Sequence, residues 1–395
     1  MVKKIRQCIP NWLVNTFWHL PKAVLANLWY GFPSKNLTII GITGTSGKTT
    51  TAHLIYHLLQ KNGFKVALIS TLSAKIGTQE IKTGLHVTNP DSFALQKLLK
   101  RIADKKYQYL VLEITSHGLA QYRTWGINFA YGVLLNITHE HLDYHKTFKN
   151  YQKAKLKLIK NSTTAILNPR DPAYSAACQL ARQVINFSIH PSDTCQSLPG
   201  QFNQENISAS KAVAKDLGIN QPDINKALKT FPGIPGRMEF IQTTPFSIII
   251  DFAHKPDALK KALKAIKQLK GKKGKIISVF GSAGLRDTQK RPIMGKIASQ
   301  LSDVTVLTAE DPRTEDANKI INQIAAGFKK SRTKKLYKIP NRQQAINQAI
   351  AIAKPGDYVC LFGKAHEKSM CFGTIEYPWS EHQAVQKALK QRSQK

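Results

Sequence analysis

From residue 37 onward the chain alternates short apolar runs with longer stretches of helical periodicity. Leu37 to Thr43, Val66 to Thr71, Tyr109 to Ile114 and Tyr131 to Ile137 each read as a buried strand that closes on polar residues. Between the first two, Lys48 to Lys61 reads as a helix. The Pro/Gly-rich segment FPGIPGR, from Phe231, breaks the pattern and is the best linker candidate. A second alternation follows, with strands at Ser247 to Asp251, Lys275 to Phe280, Val304 to Thr308 and Tyr358 to Phe362. The pattern predicts an α/β fold in which a mostly parallel sheet positions ligands beyond the carboxyl ends of its strands. Three parts are expected: a helical segment over 1–35, a central domain over 36–233 and a second, Rossmann-like α/β domain over 234–395.

Residues 1–35 follow a different rule. Lys3, Lys4 and Arg6 precede the apolar positions Trp12, Leu13, Val14, Phe17, Trp18 and Leu20, and Pro21 and Lys22 separate these from a second run, Val24 to Tyr30. Neither run reaches the roughly 18 to 20 residues that a spanning helix needs. No small-residue cleavage site follows, which argues against a signal peptide. Two short amphipathic helices packed on the body are expected, with a peripheral membrane contact as the competing reading.

Composition changes the picture at two points. With 58 Lys and Arg against 24 Asp and Glu, the net charge is +34, which raises the question of nucleic acid. The lysines are spread through every segment without a nucleic-acid motif, so solvated helix faces and an anionic nucleotide substrate explain them better, and no nucleic-acid partner is expected. The five cysteines (Cys8, Cys178, Cys195, Cys360 and Cys371) form no CxxC pair, which fits a reducing cytoplasm and neither a disulfide framework nor a zinc site.

The strongest chemical signal is GITGTSGKTTT, Gly41 to Thr51, lying between a strand and a helix. Gly44 and Gly47 let the backbone of Gly44, Thr45, Ser46 and Gly47 curl around phosphate oxygens. Lys48 reaches the outer phosphates, and Thr49, followed by Thr50, offers a hydroxyl to Mg²⁺. The common GxxxxGK[ST] form needs Gly where this chain has Ile42, so the loop is a variant of that motif. Glu113 closes the strand YLVLEI, where a carboxylate can share the metal with Thr49. The cluster NITHEHLDYH brings His139, His141 and His145 together with Glu140 and Asp143. It lacks HExxH spacing, so phosphate-linked magnesium chemistry is favoured over zinc.

In this order and spacing, GITGTSGKTTT, LEITSHGLAQYR, NITHEHLDYHKTFKNYQKAKLKL, GQFNQENISA, PGRMEF, DFAHKPDAL, TAEDPRTED and GKAHE resemble the Mur ligases of cell-wall synthesis. The nearest branch is the one that adds the third residue of the peptidoglycan stem. The resemblance spans about residues 36–390 and implies an ATP- and Mg²⁺-dependent ligase acting through an acyl phosphate. Its substrates would be UDP-muramyl dipeptide and an amino acid, with the second domain closing over the first to exclude water; a cytoplasmic monomer is the working expectation. By the same resemblance Lys155 is a CO₂-derived carbamate that holds a second Mg²⁺ with His141. Asn206, Arg237 and Asp251 grip the nucleotide. Thr88, Asn89, Ser116, Gln121 and Arg123 face the muramyl peptide. Arg286, Glu310, Asp311, Arg313, Gly363 and Glu367 hold the incoming amino acid.

The chain departs from the family pattern at Ser46 (for Asn), Glu140 (for Asp), Leu285 (for Asp), Asp311 (for Asn) and Ala365 (for Gly). Only residues 1–35 precede the P-loop strand, where the family carries a whole domain for the uridine nucleotide. The resemblance ties Arg313 to meso-diaminopimelate. A folylpolyglutamate- or cyanophycin-type ligase is the alternative within the superfamily, and a non-catalytic nucleotide-binding scaffold the alternative outside it. The segments TNPD and EDPR favour the muramyl substrate.

Overall fold

The computed structural model describes residues 10–81, 89–138, 142–271, 274–328 and 334–394, without the side chains of 142 and 143. The chain divides into two compact units, Met1–Cys195 with Phe202–Phe231, and Gln196–Gln201 with Pro232–Lys395.

The first unit is built on strands β1 (Thr38–Thr43), β2 (Val66–Ile69), β3 (Ala74–Ile76), β4 (Gln79–Ile81), β5 (Tyr109–Glu113), β6 (Phe129–Leu134), β7 (Ser162–Leu167) and β8 (Gln183–Asn186). They form one sheet in the order β4-β3-β2-β5-β1-β6-β7-β8, parallel from β2 through β8 and antiparallel at the β3 and β4 edge. Ile39 to Thr43 are buried, as expected of a strand flanked on both sides in a covered parallel sheet. The register pairs Ile42 with Glu113 and Thr43 with Leu134. The loop after β1 therefore opens beside the carboxyl ends of both neighbours, which is what places a glycine-rich loop, an acid and the segment Leu135 to Thr138 together.

Apolar periodicity carries the β6 run to Ile137, but the strand ends at Leu134. Beyond it the backbone turns to serve the loop after β1: Asn136 O accepts from Thr45 N at 2.8 Å, and Leu135 N donates to Thr43 O at 3.1 Å. Leu135 and Ile137 are buried, so their side chains keep the strand-like pattern after the ladder has stopped.

At the N-terminus one helical run replaces the two expected helices. Asn11–Val14 is α-helical, Asn15–His19 forms a π turn, and Leu20–Tyr30 is again α-helical, capped by Gly31. The π turn widens the helix just ahead of Pro21, which sits in the first turn of the second α segment. There its missing N–H and its ring are tolerated, so the proline does not break the run. Among the described residues, no helix is long and apolar enough to cross a membrane.

The second unit carries β9 (Glu239–Gln242), β10 (Ser247–Asp251), β11 (Ile276–Phe280), β12 (Val304–Leu307), β13 (Lys335–Lys338) and β14 (Tyr358–Phe362) in the order β13-β12-β11-β14-β10-β9. All pairs are parallel except β9 with β10. A small hairpin, β15 (Ser369–Phe372) with β16 (Ile375–Pro378), follows. Ile248, Ile250, Val279, Val306, Ile346, Val359, Leu361 and Val385 belong to its core. The polar segments 251–254, 281–291, 308–313 and 363–367 each follow the carboxyl end of a strand of this sheet.

Candidate active site

In the first unit the site starts from Gly47, which has φ +84° and immediately precedes the helix Lys48–Lys61. A β-carbon there would lie 2.1 Å from Asn206 Oδ1, so both the left-handed backbone and the approach of Asn206 require glycine. Asn206 is buried on the helix Gln201–Asp216, where its amide also donates to Asn203 Oδ1 at 3.0 Å. Asn136 Oδ1 accepts from Ser46 N at 2.9 Å, and Thr45 Oγ1 accepts from Thr138 N at 2.9 Å, so the loop is braced from the β6 side. Thr50 is buried behind it.

Lys48 folds back over the loop and donates to Gly44 O at 3.0 Å and Thr45 O at 3.2 Å. Thr49 Oγ1 donates to the Glu113 carboxylate at 3.0 and 3.1 Å, and both residues are buried. A second hydrogen bond, from Thr71 N at 2.9 Å, fixes that carboxylate. A hydroxyl and a carboxylate converging at a phosphate loop form the oxygen-donor set that a hard divalent cation takes.

Lys155 meets the same loop from another helix. It is fully buried on the helix Phe148–Lys160, with Nζ donating to Gly44 O at 2.6 Å and lying 4.8 Å above the Tyr151 ring. Burial, aided by the neighbouring charge of Lys48, pushes its amine well below the ordinary lysine range. Tyr151 was not singled out from the sequence. It stands four residues before Lys155, on the same helical face, and its hydroxyl meets Thr45 Oγ1 at 2.9 Å.

The candidate peptide contacts gather at the end of β5. Asn89 donates to Glu113 O at 2.7 Å and accepts from Thr115 N at 2.8 Å. Ser116 Oγ meets His145 Nε2 at 3.0 Å, Arg123 Nε donates to Gln121 Oε1 at 2.9 Å, and an Arg123 guanidinium N–H donates to Asn89 O. Thr88 and His141 lie outside the described residues.

The second unit holds the remaining candidates. Asp251 accepts from Met238 N at 2.7 Å and Ala253 N at 2.8 Å; burial raises its carboxyl, with Arg237 opposing. The Arg237 guanidinium stacks 4.7 Å from the centre of the Phe252 ring. Gly363, at φ +102°, leaves room for Glu310, whose Oε2 would lie 2.4 Å from any β-carbon there. Asp311 Oδ1 accepts from Lys364 Nζ at 2.8 Å and from Cys371 N at 2.9 Å, while Lys364 also reaches Glu367 at 2.7 Å. The extra negative charge that Asp311 brings is thus met by a fully buried lysine, 53 residues away along the chain. Arg313 Nη1 donates to Gly284 O at 3.0 Å, and Arg286 is exposed. Leu285, Asp311, Arg313 and Ala365 all have left-handed φ values, a concentration of strained backbone of the kind found at ligand sites.

Burial pushes the Glu310 carboxyl from 4.5 up to about 7, against the pull of Lys290 and Arg342. Between those pH values the folded protein keeps a proton that the unfolded chain has released. Stability should therefore fall as pH rises through this window, by up to a few kcal/mol. Glu310→Gln should flatten that slope in thermal melts taken at about pH 5 and pH 8; an unchanged slope would assign it to other groups.

Comparison with known proteins decides the family. Residues 42–196 match the Mur ligase middle domain and residues 236–365 match the Mur ligase glutamate ligase domain. UDP-N-acetylmuramoyl-L-alanyl-D-glutamate--2,6-diaminopimelate ligase 1 of Clostridium acetobutylicum is 36% identical over 399 residues, covering 93% of this chain and 81% of that protein. The chain belongs to the Mur ligase family. A solved structure of a UDP-N-acetylmuramoyl-L-alanyl-D-glutamate--2,6-diaminopimelate ligase aligns with TM-score 0.64 and 28% identity, over 90% of this chain and 79% of that one. E. coli FolC in complex with ADP aligns with TM-score 0.71 over 95% of each chain at 18% identity, a likeness of fold alone. Mur ligases are ATP-dependent, and in this chain the glycine-rich loop Gly44–Gly47 lies between β1 and the helix Lys48–Lys61.

Proposed function

We propose that this Mur ligase joins meso-diaminopimelate to UDP-N-acetylmuramoyl-L-alanyl-D-glutamate in the cytoplasm, where ATP is available, as a step of peptidoglycan synthesis. The observation that carries the reading is the set Lys48, Thr49, Glu113 and Lys155 around Gly44–Gly47, in a chain this similar to diaminopimelate ligases.

A carboxylate is a poor electrophile because its charge repels nucleophiles. Transfer of the γ-phosphoryl group of ATP onto the glutamate carboxylate yields an acyl phosphate and ADP. The amine of the incoming amino acid then attacks, forming the C–N bond; phosphate leaves with the C–O electrons and the amine loses a proton. The backbone N–H groups of Gly44 to Lys48 hold the phosphates, and Lys48 exchanges its loop carbonyls for phosphoryl oxygens, where its charge counts most. Thr49, Glu113, His141 and Lys155 as a carbamate are the residues that would hold magnesium. When bound, that ion offsets negative charge on the phosphates. Asn206, Arg237 and Asp251 bind the nucleotide; Thr88, Asn89, Ser116, Gln121 and Arg123 orient the muramyl peptide.

Arg313 supports diaminopimelate as the amine. A guanidinium forms a charge-assisted pair with the distal carboxylate of diaminopimelate, whereas lysine presents an ammonium to the same charge. The Asp311–Lys364 pair keeps the acid beside Arg313 from cancelling this preference. Incorporation assays with both amino acids test it. Wild type should favour diaminopimelate by at least about tenfold, and Arg313→Ala should lose most of that preference, since a charge-assisted bond contributes about 1.5–3 kcal/mol. A wild-type enzyme that takes lysine better refutes the assignment.

A further inference from the structure

The N-terminal helix is built inside out. Within Leu20–Tyr30 the buried residues are Ala23, Ala26 and Asn27, the small and polar ones. Leu25, Leu28 and Trp29, with Trp18 just ahead of them, point to solvent: Trp18 is 67% exposed, Leu25 59%, Leu28 60% and Trp29 78%, while Leu20, Val24 and Tyr30 are half-buried. Spacings of three and four residues set Leu25, Leu28 and Trp29 on one face of the α segment, and Trp18, in the π turn before it, is exposed as well. Phe17 and Trp12 extend the exposed apolar surface toward the start of the run. Asn27 pins the opposite face to the body, its amide donating to Ala23 O at 2.9 Å and Trp125 O at 2.8 Å. The run thus meets the body through its small and polar side. A helix folded for the protein's own stability would bury the tryptophans and leucines, so this exposed stripe serves something outside the chain.

Three observations select what covers it. Half of the stripe is tryptophan, whose amphipathic ring prefers the boundary between water and acyl chains. No Asp or Glu precedes Glu80 in the sequence, where Lys3, Lys4 and Arg6 come before the helix and Lys35 after it, in a chain of net charge +34; Lys22, on the helix, is paired with Asp91. That charge favours an anionic surface and opposes docking of a second copy of the same chain. Finally, the polar residues of the run tie its other side to the body: Asn27 donates to Trp125 O, Asn11 donates to Tyr144 O, Asn15 accepts from the Tyr144 hydroxyl and Lys22 pairs with Asp91, which leaves the apolar stripe outward, as suits a helix lying in an interface.

We propose that this face docks the protein on an anionic bilayer surface, with Trp18, Leu25, Leu28 and Trp29 entering the headgroup boundary and the flanking cations meeting lipid phosphates. The inference stands independently of the ligase reading.

The test compares the full chain with a Trp18→Ser/Leu25→Gln/Trp29→Ser variant, using vesicles of phosphatidylcholine alone or mixed with phosphatidylglycerol. Wild type should co-sediment with the mixed vesicles, with a blue shift in tryptophan emission, and bind phosphatidylcholine poorly. The variant should lose at least about tenfold in partitioning, because three apolar side chains no longer leave water. Its thermal melt and its nucleotide binding should be unchanged, since the substituted positions are exposed. Equal co-sedimentation of both proteins, abolished for both by raised salt, would reduce the effect to diffuse charge and overturn the proposal. A wild-type dimer in sedimentation velocity, dissociated by the same substitutions and indifferent to vesicles, would assign the face to self-association and overturn it as well.

Discussion

Lys48→Ala is expected to reduce ligation at saturating ATP by roughly 10²–10³-fold, the loss typical when one preorganised electrostatic contact is removed from a developing charge. Lys48 rests on the carbonyls of Gly44 and Thr45, so in the proposed mechanism its ammonium needs little rearrangement to meet phosphates held by that loop. The loop itself does not depend on this side chain. Gly47 and the contacts from Asn136 and Thr138 shape it, so the variant should fold and retain weakened nucleotide binding. Fluorescent-nucleotide titration beside a phosphate-release assay separates the two effects. Near wild-type turnover in Lys48→Ala would remove the P-loop from the mechanism.

The second large effect is expected at Lys155. A buried ammonium in direct contact with a loop carbonyl, near a second lysine, is costly. Burial and Lys48 both favour the neutral amine, which is the form that attacks CO₂ to give a carbamate and a proton. In the proposed role the product is a carboxylate on a lysine stem, a ligand that a divalent cation accepts. Lys155→Met keeps the stem's bulk and removes the amine, so it should fold and bind nucleotide but ligate about 10²-fold or more slowly. Lys155→Ala should be as slow and less stable, because truncating a buried side chain leaves a cavity. Acetate or formate should restore part of the rate to the alanine variant and none to the methionine variant, whose side chain fills the space. Full wild-type activity in strictly CO₂-free buffer, with an unmodified lysine by intact mass, would refute the carbamate.

Much of this protein is written locally. The alternation of apolar runs and helical stretches, FPGIPGR, and GITGTSGKTTT between a strand and a helix are short-range patterns whose meaning depends on neighbours in sequence. Each reports a physical need: strands buried on both faces, a break in the chain, a backbone free to curl around phosphate. Ordered motifs then carried the family, because their spacing survives in the linear chain. The end of β6 was less legible, since Leu135 and Ile137 remain buried after the backbone has left the ladder to brace Thr45.

What only the tertiary structure decided are the contacts between distant residues and the direction in which side chains face. Thr49 and Glu113 are 64 residues apart and share hydrogen bonds because β1 and β5 are adjacent. Lys155 is one lysine among many until packing buries it against Gly44, 111 residues away, and removes its water. Asp311 reads as an added charge until Lys364, 53 residues on, neutralises it. The N-terminal run announces itself as apolar in sequence, yet periodicity alone gives a helix two possible insides. Asn27 and the alanines take the body-facing side because only small residues and one well-bonded amide fit that close approach. The tryptophans are left facing out, since burial is settled by the surface a side chain meets and not by its own hydrophobicity.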